Sequence, residues 1–271
     1  MKTLKHENTK TRDGYLSWAA EEISDFSEKN ISAMYERGFV FTRLGKGAMT
    51  QTRSVRIDLS KFELSSENRR VLRKVENLKM EIVPLPHPNY DWQIHKMGFD
   101  FYTKKFGAKT FSANKIKELL TSENSNFNLL MKYSVDQNVI PSPSASLGVN
   151  SAEESLDSNF KGSPACRQAG SSSADGLGRD DNGTIGYCIC YQNNELLHYA
   201  YPFYYLNADI ANLGIGMMTK AIVWAKEQGK KFVCLGSAQN PAAIYKTQFS
   251  GFEWFDGEKW REDIEELKKI L

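Results

Sequence analysis

Cysteine is scarce and poorly placed for a metal. The 271 residues contain four, Cys166, Cys188, Cys190 and Cys234, and no CxxC pair with further ligands that would start a zinc site. Cys188 and Cys190 are two apart in a segment with strand character, so both point to one face as buried thiols. Histidine is equally sparse, four in all, and no Ser–His–Asp set is evident. No apolar run is long enough to cross a bilayer, and Met1 to Thr11 is polar, without the apolar centre of a signal peptide. A monomeric, cytoplasmic chain with no membrane partner and no metal is the expectation. The net charge is only +2, too small to point to a nucleic-acid partner by itself.

That charge is unevenly spread. From Lys29 to Lys79 there are 12 Lys/Arg against 5 Asp/Glu, a basic block suited to an anionic partner. Hydrophobic residues at 41% and charged residues at 25% are ordinary for a globular protein. The block reads as a small α/β unit: a helix over Ile31–Arg37, an extended Phe39–Arg43, a turn at Gly45–Gly47 and a strand over Gln51–Leu59. A helix capped by Ser65 follows, with Val71, Leu72, Val75 and Leu78 on one face and Arg70, Arg73, Lys74 and Asn77 on the other. Pro84, Pro86 and Pro88 then mark a boundary, which divides the chain into a basic domain, 1–88, and a second domain, 89–271.

The second domain opens with helices at Trp92–Phe106 and Ala113–Thr121. Residues 141–183 are rich in Ser, Gly, Ala and Asp, with Phe160 the one aromatic. Such a segment buries too little apolar surface to offset its ordering entropy and reads as a disordered insertion. Beyond it, Thr184–Tyr191 and Glu195–Leu206 form a hairpin across a short turn. A loop with Asn207, Asp209 and Asn212 enters a helix carrying Leu213, Met217, Ala221, Ile222 and Ala225 at helical spacing. A strand (Lys231–Gly236), a short helix (Asn240–Phe249), a strand (Phe252–Phe255) and a charged terminal helix (Arg261–Leu271) complete the chain.

From Thr184 onward this order resembles the GNAT acyltransferase superfamily. The long helix opens on Leu213-Gly214-Ile215-Gly216, where small residues let backbone N–H groups approach a phosphate. Asn240-Pro-Ala-Ala-Ile-Tyr245, followed by Gly251-Phe252-Glu253, resembles the superfamily helix whose tyrosine sits near the transfer centre. The implied fold is α/β (α+β), a GNAT-like domain on a mixed, largely antiparallel sheet, preceded by the small basic unit.

A finer likeness covers nearly all the chain outside the insertion. Tyr35-Glu-Arg-Gly38, Gln51-Thr-Arg-Ser-Val-Arg-Ile-Asp58, Ser60-Lys-Phe62 and Ser65-Ser-Glu-Asn-Arg-Arg-Val-Leu-Arg-Lys74 resemble the N-terminal block of arginyl-tRNA–protein transferases. Arg56 to Lys74 is the most specific stretch. Tyr204 ahead of Leu213-Gly214, and Tyr245-Lys-Thr-Gln-Phe249, echo the family's C-terminal half. The resemblance implies transfer of an amino acid, arginine before leucine, from aminoacyl-tRNA to a protein N-terminus, marking that protein for degradation. Family members also carry N-terminal cysteines thought to hold an iron–sulfur cluster. Here those stretches read Asp13-Gly-Tyr-Leu-Ser17 and Lys46-Gly-Ala-Met-Thr50, and without thiolates no cluster is expected. Aminoacyl-tRNA is then the co-substrate, with no other cofactor.

An aminoacyl ester is already activated, so the enzyme has only to align it with an amine, accept a proton and stabilise an oxyanion. The catalytic candidates are Tyr204, Tyr245, Lys246 and Gln248: Gln248 at the reacting carbonyl, Lys246 at the terminal tRNA phosphate or balancing charge. Arg53, Arg56, Arg69, Arg70, Arg73 and Lys74 are the tRNA-binding candidates. Plainer roles stand beside these: a core Tyr245, a solvated Lys246, strand packing for Tyr199 to Tyr205, a helix cap at Asp209. Two other functions compete. One is an acetyl-CoA-dependent N-acetyltransferase, disfavoured by Ala211 where the usual phosphate loop has Gln or Arg. The other is a non-catalytic RNA- or protein-binding module on the same fold.

Overall fold

The computed structural model describes residues 9–10, 16–135 and 183–271. The insertion expected at 141–183 lies, up to residue 182, outside the described residues, as do Cys166 and Asp13 to Tyr15. In chain order the strands and helices are β1 (Thr9–Lys10), β2 (Leu16–Ser17), β3 (Ala19–Glu22), α1 (Glu28–Glu36), β4 (Phe39–Phe41), β5 (Ala48–Gln51) and β6 (Ser54–Asp58). Next come α2 (Ser66–Lys74), β7 (Leu78–Pro84), α3 (Trp92–Phe106), α4 (Ala113–Thr121), β8 (Leu129–Val135), β9 (Thr184–Gln192) and β10 (Leu196–Tyr204). The chain ends with α5 (Leu213–Glu227), β11 (Phe232–Ser237), a 3₁₀ segment (Pro241–Gln248), β12 (Phe252–Phe255), β13 (Trp260–Arg261) and α6 (Ile264–Ile270).

One eight-stranded sheet organises the molecule, in the order β13-β12-β6-β11-β10-β9-β8-β7. Every neighbouring pair is antiparallel except β10 and β11. That pair is joined by α5, as a parallel connection requires a crossover element. The mixed, largely antiparallel α/β fold read from the sequence is therefore the fold observed. Successive strand residues point to opposite faces, so Cys188, Val233 and Leu129 enter one core while Ile189, Cys234 and Leu130 enter another. The first core is closed by α5 and α6, through Met217, Ala221, Ile222 and Leu267. The second is closed by α1, α3, α4 and the three-stranded sheet β3-β5-β4, through Ile31, Met97, Ile116 and Phe41.

The two-domain division at residue 88 gives way here. Strand β6 lies inside the large sheet between β12 and β11, and β7 pairs with β8 at its edge. Both come from the segment read as a separate basic domain. Hydrophobic alternation identifies Val55 and Ile57 as a strand face, but their partners lie almost 200 residues away, beyond the reach of local pattern. The strand expected over Gln51–Leu59 is two, broken at Thr52, whose hydroxyl donates to Leu16 O instead of extending a ladder. Leu78, expected on the α2 helix face, begins β7, and the Asn240–Phe249 helix is a 3₁₀ segment. Strands β7 and β8 were absent from the sequence reading.

Candidate active site

The parallel ladder is short. Residues 196–198 of β10 pair with 232–234 of β11, after which β10 runs on to Tyr204 and β11 to Ser237 without pairing further with each other. Each strand is irregular at this level. On β10 the register against β9 jumps between Tyr199 and Tyr201, leaving Ala200 with no residue opposite. On β11 the register against β6 shifts between Cys234 and Ser237, around Gly236 at φ +74°. Bulges of this kind bend a strand and re-aim its side chains.

Tyr204 is seated between two glycines. A Cβ on Gly186, opposite it on β9, would lie 2.7 Å from Tyr204 Cβ, and one on Gly214 would lie 2.7 Å from its hydroxyl. The Tyr204 hydroxyl accepts from Lys105 Nζ at 3.3 Å, and its ring packs against Phe101 with centroids 4.7 Å apart. Beside it α5 begins at Asn212, in left-handed conformation at φ 64° and without a side-chain cap. The other five α-helices are each capped by a side chain, from Ser27, Ser65, Asp91, Ser112 and Asp263. A missing cap forgoes about 1 kcal/mol and leaves first-turn N–H donors at the positive end of the helix dipole.

The notches at both glycines are filled by side chains of this chain. Gly214 makes room for the Tyr204 phenol, and Gly216 for Val75, where a Cβ would meet Val75 Cγ1 at 2.6 Å. Leu213 is buried in the first core. The small residues serve close packing, and the Val75 contact sets the end of the basic helix α2 against the first turn of α5.

The other candidates divide. Lys246 donates to Leu235 O at 2.8 Å and Ser237 O at 2.9 Å, on either side of Gly236. It holds the β11 irregularity together rather than meeting a phosphate. Burial pushes its ammonium down to about 8. Gln248 donates to Tyr245 O at 2.6 Å, within its own 3₁₀ segment, and its amide nitrogen is committed there. Although 47% of Tyr245 remains exposed, its phenol is raised, by desolvation first and then by Tyr204.

The basic candidates divide as well. Arg56 is 7% exposed, bonded to Glu253 Oε2 at 2.7 Å and Glu36 Oε1 at 2.8 Å, with its guanidinium between the rings of Phe232 and Trp260. It is withdrawn from any RNA surface because an inward strand position left it to be neutralised by the core. Arg53 is half-buried and donates to Ala238 O at 3.4 Å. Arg69, Arg70, Arg73 and Lys74 stay exposed on α2. Arg69 reaches back to Leu64 O at 2.5 Å and Arg70 pairs with Glu67 at 2.8 Å.

Two features escaped the sequence reading. Lys105 belongs to α3 and meets Tyr204 only through tertiary packing. His198, the last residue of β10 paired with β11, is 3% exposed, with Nδ1 2.9 Å from the Tyr35 hydroxyl. That hydroxyl also accepts from Phe41 N at 3.4 Å. Burial, and secondly Lys246, hold His198 down to about 3. A cavity of about 450 Å³ lies elsewhere, over β7 to β9 at the start of α3, with Glu81, His87, Asp91 and Lys132 in its lining. Its charges are matched internally by the Glu81–Lys132 pair and the Asp91 cap.

No protein-family model and no curated protein matches the sequence. Among solved structures, the chain is similar to L-PGS from Bacillus licheniformis, with a TM-score of 0.39 and 11% identity over 78% of this chain and 52% of that one. It is similar also to a domain described as the C-terminal DUF2156 part of a lysylphosphatidylglycerol synthetase from Agrobacterium fabrum, with a TM-score of 0.38 and 12% identity over 82% and 55%. A third likeness is to a GCN5-related glucosamine N-acetyltransferase region in a fungal GH3 β-N-acetylglucosaminidase, with a TM-score of 0.40 and 9% identity over 86% and 22%. The chain spans about half the length of the first two.

Proposed function

We propose that this chain is an aminoacyltransferase, moving an amino acid, arginine before leucine, from aminoacyl-tRNA to the N-terminal α-amine of an acceptor protein and so marking it for degradation. One observation carries the reading: the basic helix α2 abuts the uncapped start of α5 where Tyr204 and Lys105 meet. A surface suited to phosphates is thereby joined to donors suited to an oxyanion.

The acceptor α-amine has an ordinary pKa of about 7.7–8.0, so roughly a fifth to a third of it is already neutral at physiological pH. Its nitrogen attacks the ester carbonyl, forming the C–N bond and placing negative charge on oxygen. The N–H groups of Gly214 and Ile215 in the first turn of α5, and the Tyr204 hydroxyl beside the Lys105 ammonium, are donors for that charge. The ester C–O bond then breaks, and the departing ribose oxygen takes up the proton lost by the amine. No covalent enzyme intermediate is required. An acetyl-CoA reaction wants an open glycine cradle for pyrophosphate, and here Tyr204 and Val75 occupy the glycine notches.

The test is transfer of labelled arginine or leucine from charged tRNA to peptides beginning with Asp, Glu, Lys or Arg. Label in the peptide supports the reading. RNA binding without transfer points to a non-catalytic module, and acetylation from acetyl-CoA to the competing enzyme. Replacing Arg69, Arg70 and Arg73 together by alanine should weaken tRNA binding alike for all tRNAs. It should also reduce the slope of log affinity against log salt by up to about three. An unchanged slope removes α2 from the interface. Gly214→Ala should displace the Tyr204 hydroxyl and lower the transfer rate by roughly ten-fold, short of the roughly 10²–10³ that outright loss of an oxyanion donor costs. Its melting temperature, measured alongside, should change little, because alanine favours a helix and offsets the displaced phenol. Full activity in that variant would detach Tyr204 from the chemistry.

A further inference from the structure

Phe106, at the end of α3, is 58% exposed although its ring is held in place. Tyr102 stacks beneath it at 5.9 Å and 29°, and Phe101 meets it edge-on at 6.2 Å. Phe101 in turn packs on Tyr204 at 4.7 Å. A row of rings therefore runs from a solvent-facing platform to the proposed transfer centre. Lys104, Lys105 and Lys109 lie within three residues of Phe106 in sequence, all exposed, with Lys105 Nζ 5.4 Å from the Phe101 ring centroid, and among the described residues none has a carboxylate partner in an ion pair.

The simplest account of these lysines is compensation of the negative end of the α3 dipole. It leaves two things unexplained. That end is already partly compensated, since Thr110 Oγ1 reaches Phe106 O at 3.0 Å and Gly107 N donates to Thr103 O at 3.0 Å. Dipole compensation also calls for no exposed, rigidly backed phenyl ring. An exposed flat ring at a lysine-rich helix end matches a ligand that combines an aromatic plane with negative charge.

We propose that Phe106 is the stacking platform for a base at the single-stranded 3′ end of the donor RNA, with Lys104, Lys105 and Lys109 on the adjoining phosphates. The proposal rests on the aminoacyl-tRNA reading and adds to it the path by which the RNA end reaches Tyr204. α2 holds the double-stranded stem through phosphates, and α3 captures the unpaired end. Lys105, bonded to Tyr204, links platform to reaction centre. Stacking accepts any base, so this contact contributes affinity without sequence preference.

The experiment compares two RNA hairpins with the same stem, one blunt and one with a 3′ single-stranded overhang, titrated by fluorescence anisotropy against wild type, Phe106→Ala and Phe106→Trp. Wild type should prefer the overhang. F106A should bind the overhang hairpin about ten-fold more weakly and the blunt hairpin unchanged, while F106W keeps the preference. Equal binding of the overhang hairpin by wild type and F106A overturns the platform, as does equal loss on both hairpins. A raised KM for the acceptor peptide with unaltered RNA affinity also overturns it, assigning the ring to the peptide instead. Wild-type transfer, assayed on the same preparation, separates the two levels. Transfer with an unaffected F106A sinks only the platform, whereas a wild type that neither binds RNA nor transfers sinks the underlying reading as well.

Discussion

Arg56→Ala should lower the unfolding free energy by about 3–5 kcal/mol, the usual result of removing one member of a buried ion pair. The arginine and Glu253 are both 7% exposed. Loss of the guanidinium strands the Glu253 carboxylate between β6 and β12, with only Lys61 Nζ at 3.3 Å as a remaining cation. It also empties the slot between Phe232 and Trp260, whose rings lie 3.9 and 4.0 Å from the guanidinium carbon. Replacing both partners, as Arg56→Met with Glu253→Leu, should recover much of the loss, since the stranded charge goes too. Urea unfolding of the three proteins measures this. RNA affinity of Arg56→Ala, taken where the variant is folded, should match wild type. A stable variant with poor RNA binding would return Arg56 to the RNA surface and refute its structural role.

The second large effect concerns acid. His198 has an ordinary pKa of 6.5 and is held down to about 3 in the folded protein, by burial first and Lys246 second. Between those values the unfolded chain binds a proton that the folded chain refuses, so lowering the pH favours unfolding. The contribution of this residue is complete above pH 6.5 and is lost as pH falls toward 3. Its full size is on the order of 5 kcal/mol, at about 1.4 kcal/mol per pH unit. His198→Gln keeps an acceptor for the Tyr35 hydroxyl but has no proton to gain. It should be less stable than wild type at neutral pH, with the gap closing between pH 6.5 and 4. A gap that stays constant across that range would mean that His198 is not buried in its neutral form.

Much of the fold was legible locally. The Ser65 cap of α2, the hairpin of β9 and β10 and the long helix after Asn212 all lie where periodicity and turn residues set them. Strands β7 and β8 were not legible, because β7 follows α2 within a few residues and extends to a proline-rich stretch that reads as a break. The site was legible in part. Tyr204 was singled out beside Leu213-Gly214, but the function of Gly214 was misjudged, since only the folded chain lays a phenol across it. Lys246 and Gln248 were chosen for chemical type, and their polar atoms bond to nearby backbone carbonyls instead.

What the sequence determined by itself is whatever depends on neighbours a few residues apart: helix and strand periods, caps, the hairpin turn, the basic tract from Lys29 to Lys79. Only the tertiary structure decided which of those basic residues face water. Strand β6 turns Arg56 into the sheet toward Glu253, while α2 leaves Arg69 to Lys74 in solvent, and side-chain type is the same in both cases. It alone also brought Lys105 to Tyr204 across 99 positions of sequence. The physical reason is that burial and long-range pairing are properties of packed surfaces, and a surface exists only after distant segments have met.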